Sequence, residues 1–328
     1  METDELTRLA TLYYVDGLTQ EDLSKTFSIS RAKVGRLLRR AQEEGIVEIR
    51  VRHHPRDTSE LEQQLVTRFK LERAIVSINH KDQDKQRELL AGLVASHLDR
   101  ILSDGMIVAV GMGRNISSIS QHAISSTRRS CRFVCAIGGA YRGGDTMNAD
   151  HICRRLAARF GGESETLYAP ALVVDPQARA TLLQNDTVKQ TLDHARRAQL
   201  ALIGIGDINE DSNMVRMGWF TPEEIVAVRQ LGAVGDMMGY DFIDLTGQPA
   251  RTPFAHRVIG LSFEDLVRIP NVIAVASEIT KTTAVLGALR TGAINTLATT
   301  EAIAQSVLSL DAATMPRHGA ETSTARAT

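Results

Sequence analysis

Short apolar runs alternate with helical segments from about residue 73 onwards, and this alternation restricts the fold more than any other feature of the sequence. Repeated strand–helix units are typical of a parallel sheet that is covered by helices on both faces. Aromatic residues make up only 4% of the chain, while alanine, valine, isoleucine and leucine are abundant, which suits helices packed on a buried sheet. We therefore expect an α/β domain over residues 73–312. The predicted strands are 74–78, 106–110, 133–137, 166–169, 200–205, 258–261, 272–275 and 295–297.

The N-terminal part of the chain follows a different pattern, with helical periodicity and clear end signals. One helix is predicted over residues 6–17, and Gly17 ends it. Thr19 then begins a second helix, in which Asp22 stands at the third position and can reach back to the cap. Two short helices in immediate succession are therefore expected at the start of the chain.

A third helix is predicted over residues 31–44, because Ser30 is a good N-cap after a tight turn and Gly45 stops the helical pattern. Apolar and charged residues then alternate over 46–51, as they do in a half-buried strand. Helix, helix, short turn, helix and strand, in this order, predict a winged helix-turn-helix over residues 1–54.

The formal net charge is −1, so an argument for nucleic-acid binding must rest on where the charges lie. Between residues 31 and 40, five side chains are basic and none is acidic. The N-terminal residues of a recognition helix face base edges, and Arg50 and Arg52 on the predicted wing would meet phosphates. A solvated basic face on an ordinary helix is the alternative, but the order of the elements favours DNA binding. The predicted DNA contacts are Thr19, Gln20, Ser30, Arg31, Lys33, Arg36, Arg39, Arg40 and Arg50.

Two further segments flank the α/β domain. A polar joint and an amphipathic helix predict a linker over residues 55–72. Leu61, Leu65 and Phe69 form an apolar stripe on this helix, and we expect the stripe to take part in pairing between copies of the chain. Residues 313–328 are small and polar, which predicts a disordered tail.

Glycine-rich turns follow apolar segments at four places, 111–113, 138–139, 204–206 and 232–239. Parallel sheets bind ligands in the loops at the carboxyl ends of their strands, and glycines let backbone N–H groups approach an anion. Each turn taken alone could equally be ordinary turn chemistry. The first turn matches a dinucleotide fingerprint only in part, because Ile116 stands where the third glycine belongs, and this argues against a dinucleotide site.

A family pattern runs through five stretches of the sequence, namely 18–49, 108–117 (VAVGMGRNIS), 167–174 (LYAPALVV), 232–242 (GAVGDMMGYDF) and 257–277. Through them the chain resembles the SorC family of bacterial sugar-responsive regulators, often grouped with DeoR. The resemblance implies a Rossmann-like sensor domain, similar to glucosamine-6-phosphate deaminase and ribose-5-phosphate isomerase, and a sugar phosphate or related polyol as effector. The effector-binding residues that it implies are Gly111, Gly113, Arg114, Asn115, Ser117, Gly138, Gly139, Asp236 and Lys281.

The sequence departs from the family pattern at three places. Met112 and Asn115 stand where the family commonly has Trp and Thr, Ser277 and Glu278 stand where it commonly has Gly-Gly, and Thr300 stands where it commonly has Asp. Glu278 would repel a phosphate at that position unless a cation or its own protonation intervened. The effector is therefore either unphosphorylated or bound with its phosphate elsewhere.

These patterns predict a cytoplasmic regulator of carbohydrate or polyol catabolism that binds an operator as a homodimer or homotetramer under the control of a small effector. An active sugar-phosphate isomerase or deaminase with an appended DNA-binding domain is the alternative. It needs a positioned acid and base, and the nine histidines show no such arrangement, so we expect no enzyme and no catalytic residues. A structural nucleoid protein would not need so elaborate a glycine-turn domain.

The cysteines Cys131, Cys135 and Cys153 have no histidine cluster at metal-ligand spacing, so we expect no metal site and interpret them as buried small residues. No cofactor is expected either. Since no apolar run reaches ~18 residues and no signal peptide opens the chain, we expect no membrane contact.

Overall fold

The computed structural model describes residues 3–47, 58–125, 127–140, 145–238, 241–254 and 257–314. The chain divides into two compact units, Met1–Pro55 and Arg56–Thr328. The predicted wing lies outside the described residues from residue 48 onwards, with Arg50 and Arg52. The predicted tail lies outside them from residue 315 onwards, and the prediction of disorder is wrong for residues 313 and 314, which end a helix.

Three helices form the first unit: α1 (Thr3–Tyr14), α2 (Gln20–Thr26) and α3 (Arg31–Glu43). The three predicted helices are confirmed, although the first ends at Tyr14 rather than at Gly17, whose φ of 75° lies in the left-handed region. Their apolar sides meet in a small core of their own. Its buried residues are Leu6, Leu9, Ala10, Leu23, Val34, Leu37, Leu38 and Ala41.

Local hydrogen bonds start α2 and α3. The Thr19 N–H donates to Asp22 Oδ2 at 3.1 Å, and the Asp22 N–H donates to Thr19 Oγ1 at 3.2 Å, which makes a reciprocal capping box. At the start of α3 the Lys33 N–H donates to Ser30 Oγ at 3.3 Å. Both caps satisfy amides that have no partner inside the helix, so they fix where each helix begins. The predicted caps are confirmed.

A nine-stranded sheet lies at the centre of the second unit. Seven strands run parallel in the order β1-β9-β8-β5-β2-β3-β4, and β6 and β7 form an antiparallel hairpin beside β5. Strands β2 and β5 are neighbours, and the sheet continues to β3 on one side and to β8 on the other. The strands are β1 (Arg73–Ser77), β2 (Ile107–Val110), β3 (Arg132–Cys135), β4 (Glu163–Glu165), β5 (Leu200–Asp207), β6 (Ala233–Met237), β7 (Asp241–Asp244), β8 (Asn271–Val275) and β9 (Thr296–Thr300).

Helices connect and cover these strands, as predicted for an α/β fold. They are α4 (Ser59–Phe69), α5 (Gln83–Ile101), α6 (Arg114–His122), α7 (Ala149–Phe160), α8 (Pro176–Gln184), α9 (Asp186–Arg196), α10 (Asn213–Arg216), α11 (Pro222–Gln230), α12 (Phe263–Arg268), α13 (Thr282–Arg290) and α14 (Glu301–Thr314). Two 3₁₀ segments, Asp145–Met147 and Ile279–Lys281, precede α7 and α13.

Two predicted strands are wrong. The strand expected at 166–169 lies instead at Glu163–Glu165, where it pairs with β3. Residues 258–261 form only isolated bridges, which join Val258 to Leu172 and Gly260 to Ile137. These apolar residues are buried by the loops around them, and apolar character alone does not distinguish that setting from a strand.

The hairpin of β6 and β7 is a second departure from the sequence prediction, which took 232–239 as a turn. Gly235 stands within β6, where a Cβ atom would lie 2.8 Å from Ala284 Cα. The glycine therefore serves a close approach of α13 to the strand, not a reversal of the chain.

The apolar stripe of α4 packs against its own unit, and pairing of copies of the chain through this stripe stays a prediction. Leu65 is fully buried in the main core, and Leu61 and Phe69 are partly buried against it. Arg68 forms an ion pair with the buried Asp311 of α14. These contacts bury Leu65 completely and cover Leu61 and Phe69 in part.

The three cysteines are free and buried, which confirms their interpretation as small core residues. Cys135 Sγ and Cys153 Sγ lie 3.7 Å apart between β3 and α7. In the part of the chain that the structure describes, no helix is long and apolar enough to cross a membrane.

Candidate functional site

The predicted DNA-contacting side chains lie on the outer face of α3. Arg31, Lys33 and Arg36 are exposed, whereas Val34 and Leu37 between them are buried in the helical core. This segregation leaves the basic groups free to approach a ligand while the helix is held by its apolar side. Arg39 is exposed in the same way.

Some of the other predicted DNA contacts have structural partners. Arg40 Nε forms an exposed ion pair with Glu44 Oε1 at 2.6 Å, one turn further along the helix. Thr19 and Ser30 hold the caps described above, and the side chain of Gln20 is half-buried. Thr19 and Ser30 therefore have a structural task whether or not they contact DNA.

A cavity opens in the second unit at the carboxyl ends of β2 and β5. Loops at this end of a parallel sheet are the usual place for a ligand, because the connections diverge there and leave a crevice. The cavity has an enclosed volume of about 80 Å³ and opens to solvent at its mouth. Its lining is Met112, Gly113, Arg114, Asn115, Ile116, Gly204, Ile205, Gly206, Asp207, Asn213, Met214, Met217, Trp219, Asp236, Met238 and Lys281.

Five of the predicted effector residues meet in this cavity: Gly113, Arg114, Asn115, Asp236 and Lys281. They come from the start of α6, from β6 and from the segment before α13. Asn115, Asp236 and Lys281 are buried, and Arg114 is about one-third exposed. Gly113 and Lys281 are more than 160 residues apart in the sequence, and the sheet topology brings them together.

The other four predicted effector residues are not brought to the cavity lining, and their polar groups are already bonded. The Gly111 N–H donates to Leu202 O at 2.9 Å, which extends the pairing of β2 with β5. Ser117 Oγ donates to Thr146 O at 2.7 Å. The N–H groups of Gly138 and Gly139 donate to Ile259 O and Ala169 O at 3.0 and 2.9 Å.

Glu278 contacts both basic residues of the cavity lining, Arg114 and Lys281, which together form its basic side. Its Oε2 atom accepts hydrogen bonds from Lys281 Nζ at 2.9 Å and from Asn115 Nδ2 at 3.1 Å. Its Oε1 atom lies 3.4 Å from Arg87 Nη2 and 3.7 Å from Arg114 Nη2. Three cations and one amide therefore converge on a single buried carboxylate.

Two further hydrogen bonds hold this cluster in place. Ser277 Oγ donates to Asn115 Oδ1 at 2.6 Å, so the Asn115 amide is fixed with its nitrogen towards Glu278. Arg87 Nη1 pairs with the exposed Asp84 at 2.6 Å. The sequence departures at Asn115, Ser277 and Glu278 thus belong to one hydrogen-bonded group.

The charges around Glu278 decide its protonation state. Burial acts most strongly and raises the pKa, but the positive charge of Lys281, hydrogen bonds from Lys281 and Asn115, and the charge of Arg114 together lower the pKa to about 2. Glu278 is therefore ionised at neutral pH, and the sequence-based alternative that its own protonation removes the charge is not needed.

Two carboxylates also line the cavity. Asp236 is 2% exposed and lies directly over Gly206 in β5, where a Cβ atom would be 2.9 Å from Asp236 Cγ. Asp207 Oδ2 accepts hydrogen bonds from Asn209 Nδ2 at 2.8 Å and from Thr280 Oγ1 at 3.0 Å. Carboxylate oxygens placed in this way can accept hydrogen bonds from ligand hydroxyl groups.

The sequence analysis did not assign Asp207 to the site, nor the apolar wall of the cavity that Met217 and Trp219 form. The 204–206 turn had been noted as glycine-rich, and it does line the cavity together with Asp207. Trp219 is buried and lines the cavity, while Phe220 packs against Phe242 and Phe254. Met214 and Met217 also line the cavity, and the sequence analysis found no signal for them.

The lining suits recognition of a small polar molecule with an apolar face. The cavity-lining residues that the structure describes include no histidine, cysteine, serine or threonine. Buried carboxylates and cations fix the orientation of hydroxyl groups, and methionine and tryptophan side chains can cover carbon-bound hydrogens.

Comparison with known proteins agrees with this picture. A family model described as "Putative sugar-binding domain" matches residues 53–309. The transcriptional regulator LsrR of Enterobacter sp. (strain 638) is 29% identical over 321 residues, and the match covers 94% of each chain. The full-length crystal structure of the sorbitol operon regulator SorC from Klebsiella pneumoniae superposes with a TM-score of 0.74 at 27% identity, covering 94% of this chain and 99% of that one. The sugar-binding domain of a transcriptional repressor from Vibrio fischeri is 50% identical, with a TM-score of 0.72, and covers 77% of this chain and 98% of that one.

Proposed function

The chain belongs to the SorC family of sugar-binding transcriptional regulators, and from this premise we propose that it binds an operator through α3 and that a sugar or polyol in the cavity controls this binding. One observation carries the proposal: the buried Asp236 and Lys281, with the half-buried Asp207 and Arg114, share a cavity with apolar side chains at the carboxyl ends of β2 and β5. That combination is typical of a site that orients a small polyhydroxylated ligand.

We propose that the part of the DNA that each residue contacts depends on its position along α3. Arg31 and Lys33 lie in the first turn of α3 and reach base edges, while Arg36 and Arg39 hold phosphates or bases further along. Arg40 contributes less, because its guanidinium already pairs with Glu44. We retain Arg50 as a phosphate contact on the strength of its basic character alone.

In the cavity, we propose that Arg114, Asn115, Asp236 and Lys281 contact the effector, with Gly113 leaving room at the start of α6. Gly111, Ser117 and the 138–139 turn act indirectly, because their hydrogen bonds hold the strand ends on which the contacting residues stand.

We propose a population shift as the mechanism. An effector that binds one arrangement of the assembled protein more tightly favours that arrangement, and the operator then fits better or worse. The protein would act in the cytoplasm as a dimer or tetramer. We propose no catalytic turnover, in keeping with relatives that are named as regulators. Nuclear magnetic resonance of sugar phosphates incubated with the protein tests this point, and formation of a product would contradict it.

The central experiment uses the full-length protein. Operator DNA is obtained by in vitro selection, and a panel of sugars, polyols and their phosphates is screened by thermal shift, because a ligand that binds only the folded state raises its melting temperature. Each ligand found in this way is added to the protein–operator complex, and fluorescence anisotropy reports the operator Kd. We expect at least one such ligand to change that Kd. Selection that enriches no DNA sequence would contradict operator binding.

A further inference from the structure

The basic side of the cavity already contains its own anion. Glu278 is 8% exposed. One of its oxygens accepts hydrogen bonds from the Lys281 ammonium at 2.9 Å and from the Asn115 amide at 3.1 Å. Its other oxygen lies near Arg87 and Arg114. These are the donors that an anionic ligand group would have to use. Since Asn115 and Arg114 open α6, the carboxylate also lies close to the positive end of that helix.

A count of charges around the cavity shows no surplus for a ligand anion. Among the lining side chains, Arg114 and Lys281 carry two positive charges and Asp207 and Asp236 carry two negative charges. Behind them the charge of Glu278 is balanced by that of Arg87, which is itself shared with Asp84. A phosphate dianion would therefore bring two negative charges to a site whose cations are already neutralised.

Resting on the proposed function, we infer that the effector of this protein is an uncharged sugar or polyol and that Glu278 excludes phosphorylated forms. Asp236 and Asp207 accept hydrogen bonds from its hydroxyl groups, while Lys281 and Arg114 donate to its oxygens. The apolar wall formed by Met217 and Trp219 covers its carbon-bound hydrogens. Discrimination arises because an uncharged ligand leaves the ion pair of Lys281 with Glu278 intact, whereas a phosphate must compete with it.

The test compares matched pairs that differ only in a phosphate. Isothermal titration calorimetry of the full-length protein is run with D-sorbitol against D-sorbitol 6-phosphate and D-ribose against D-ribose 5-phosphate, together with every matched pair that the thermal-shift screen supplies. We expect the uncharged member of the pair that binds to have the smaller Kd, by about tenfold or more. Inorganic phosphate at millimolar concentration should neither bind wild-type protein nor displace that ligand.

The variant Glu278→Gln keeps the shape of the side chain and removes its charge. It should bind inorganic phosphate and should move the preference towards the phosphorylated member by about tenfold or more. Glu264→Gln, which removes the same charge from an exposed position on α12, should leave the preference as it is in the wild type.

The outcomes separate this inference from the proposed function. If wild-type protein binds the phosphorylated member of a pair more tightly and that ligand alters operator binding, the exclusion by Glu278 is overturned while the regulator stands. If no sugar, polyol or phosphate binds the wild type at all, the proposed effector site is overturned and this inference with it. Should Glu278→Gln fold poorly, the preference of the wild-type protein decides alone.

Discussion

The absence of a Cβ atom at Gly206 leaves room for the carboxylate of Asp236 in the cavity. The carboxylate of Asp236 lies against the backbone of β5 at this residue, in space that a side chain would fill. Two residues earlier on the same strand, a Cβ atom at Gly204 would meet its nearest neighbour, Met112 O, at 3.7 Å, which is ordinary contact. The two glycines therefore form a matched pair that differs only in what lies opposite.

We predict that Gly206→Ala displaces Asp236 and weakens effector binding at least about tenfold, because a hydrogen bond to a charged group is lost. Gly204→Ala should change the effector Kd by no more than about threefold, as expected for a substitution that meets no obstacle. Calorimetric titration of both variants measures this. Equal losses in the two variants would show that Asp236 is not the group affected.

Glu278 also links the site to the stability of the fold. Because its pKa falls from 4.5 in the unfolded chain to about 2 in the folded protein, its ionised form stabilises the native state above the unfolded pKa. This contribution is lost as the pH falls from 4.5 through about 2, and at neutral pH it amounts to about 3 kcal/mol.

We predict that Glu278→Gln lowers the free energy of unfolding at pH 7 and that its difference from wild type shrinks to about 1 kcal/mol at pH 3. Urea denaturation at the two pH values gives the difference directly, with Glu264→Gln as the control for loss of a charge. A difference that is the same at both pH values would contradict the ionised, stabilising role assigned to Glu278.

At the scale of elements, local signals in the sequence predicted those parts of the fold that local forces determine. The caps at Thr19 and Ser30 and the buried run of β5 were all predictable because each depends on neighbours within a few residues. The sequence did not predict the hairpin of β6 and β7, because Gly235 is needed for the close approach of α13, which lies about fifty residues away in the sequence. No local pattern carries that information.

The candidate site divides in the same way. Gly113 and Lys281 could be placed at one edge because they follow strands of one parallel sheet, whereas Asp236 lies within the antiparallel strand β6. The sequence predicted that Glu278 would repel a phosphate unless a cation or its own protonation intervened, but it could not show that Arg87 from α5 and Arg114 from α6 lie beside its carboxylate. The sequence shows which side chains are present, whereas the packing of these helices decides which of them meet.

The exposed basic residues of α3 allow a prediction about DNA binding. Replacing Arg31 or Lys33 by Ala should cost ~1–3 kcal/mol of operator binding and much less of binding to unrelated DNA, because base contacts carry the sequence information. Arg8→Ala removes an exposed charge from α1 of the same unit and serves as the control. Anisotropy titrations with operator and unrelated DNA at physiological salt measure both effects. Undiminished operator affinity in the Arg31→Ala/Lys33→Ala double variant would contradict the placement of α3 on DNA.

For the whole molecule, the amount of DNA that one copy can read sets a requirement. A single recognition helix contacts only a few base pairs, which is too little for specific affinity among genomic sites. The stripe on α4 is partly covered within its own unit, so we expect further surfaces of the chain to help join the copies. We predict a dimer or tetramer at micromolar concentration, measured by light scattering with and without operator. A monomer that retains full operator affinity would contradict this.

The proposed effector and operator sites belong to different compact units, so one can influence the other only through a free energy of coupling, which must be reciprocal. If saturating effector changes the operator Kd by a given factor, saturating operator must change the effector Kd by the same factor, and coupling of this kind is typically about 5- to 150-fold. Anisotropy supplies the first factor and calorimetry of effector into the protein–operator complex supplies the second. In the Arg31→Ala/Lys33→Ala double variant, effector affinity without DNA should persist, while addition of operator should no longer alter it. An operator Kd that responds to effector, beside an effector Kd that ignores operator, would mean that the ligand releases DNA by some route other than the cavity.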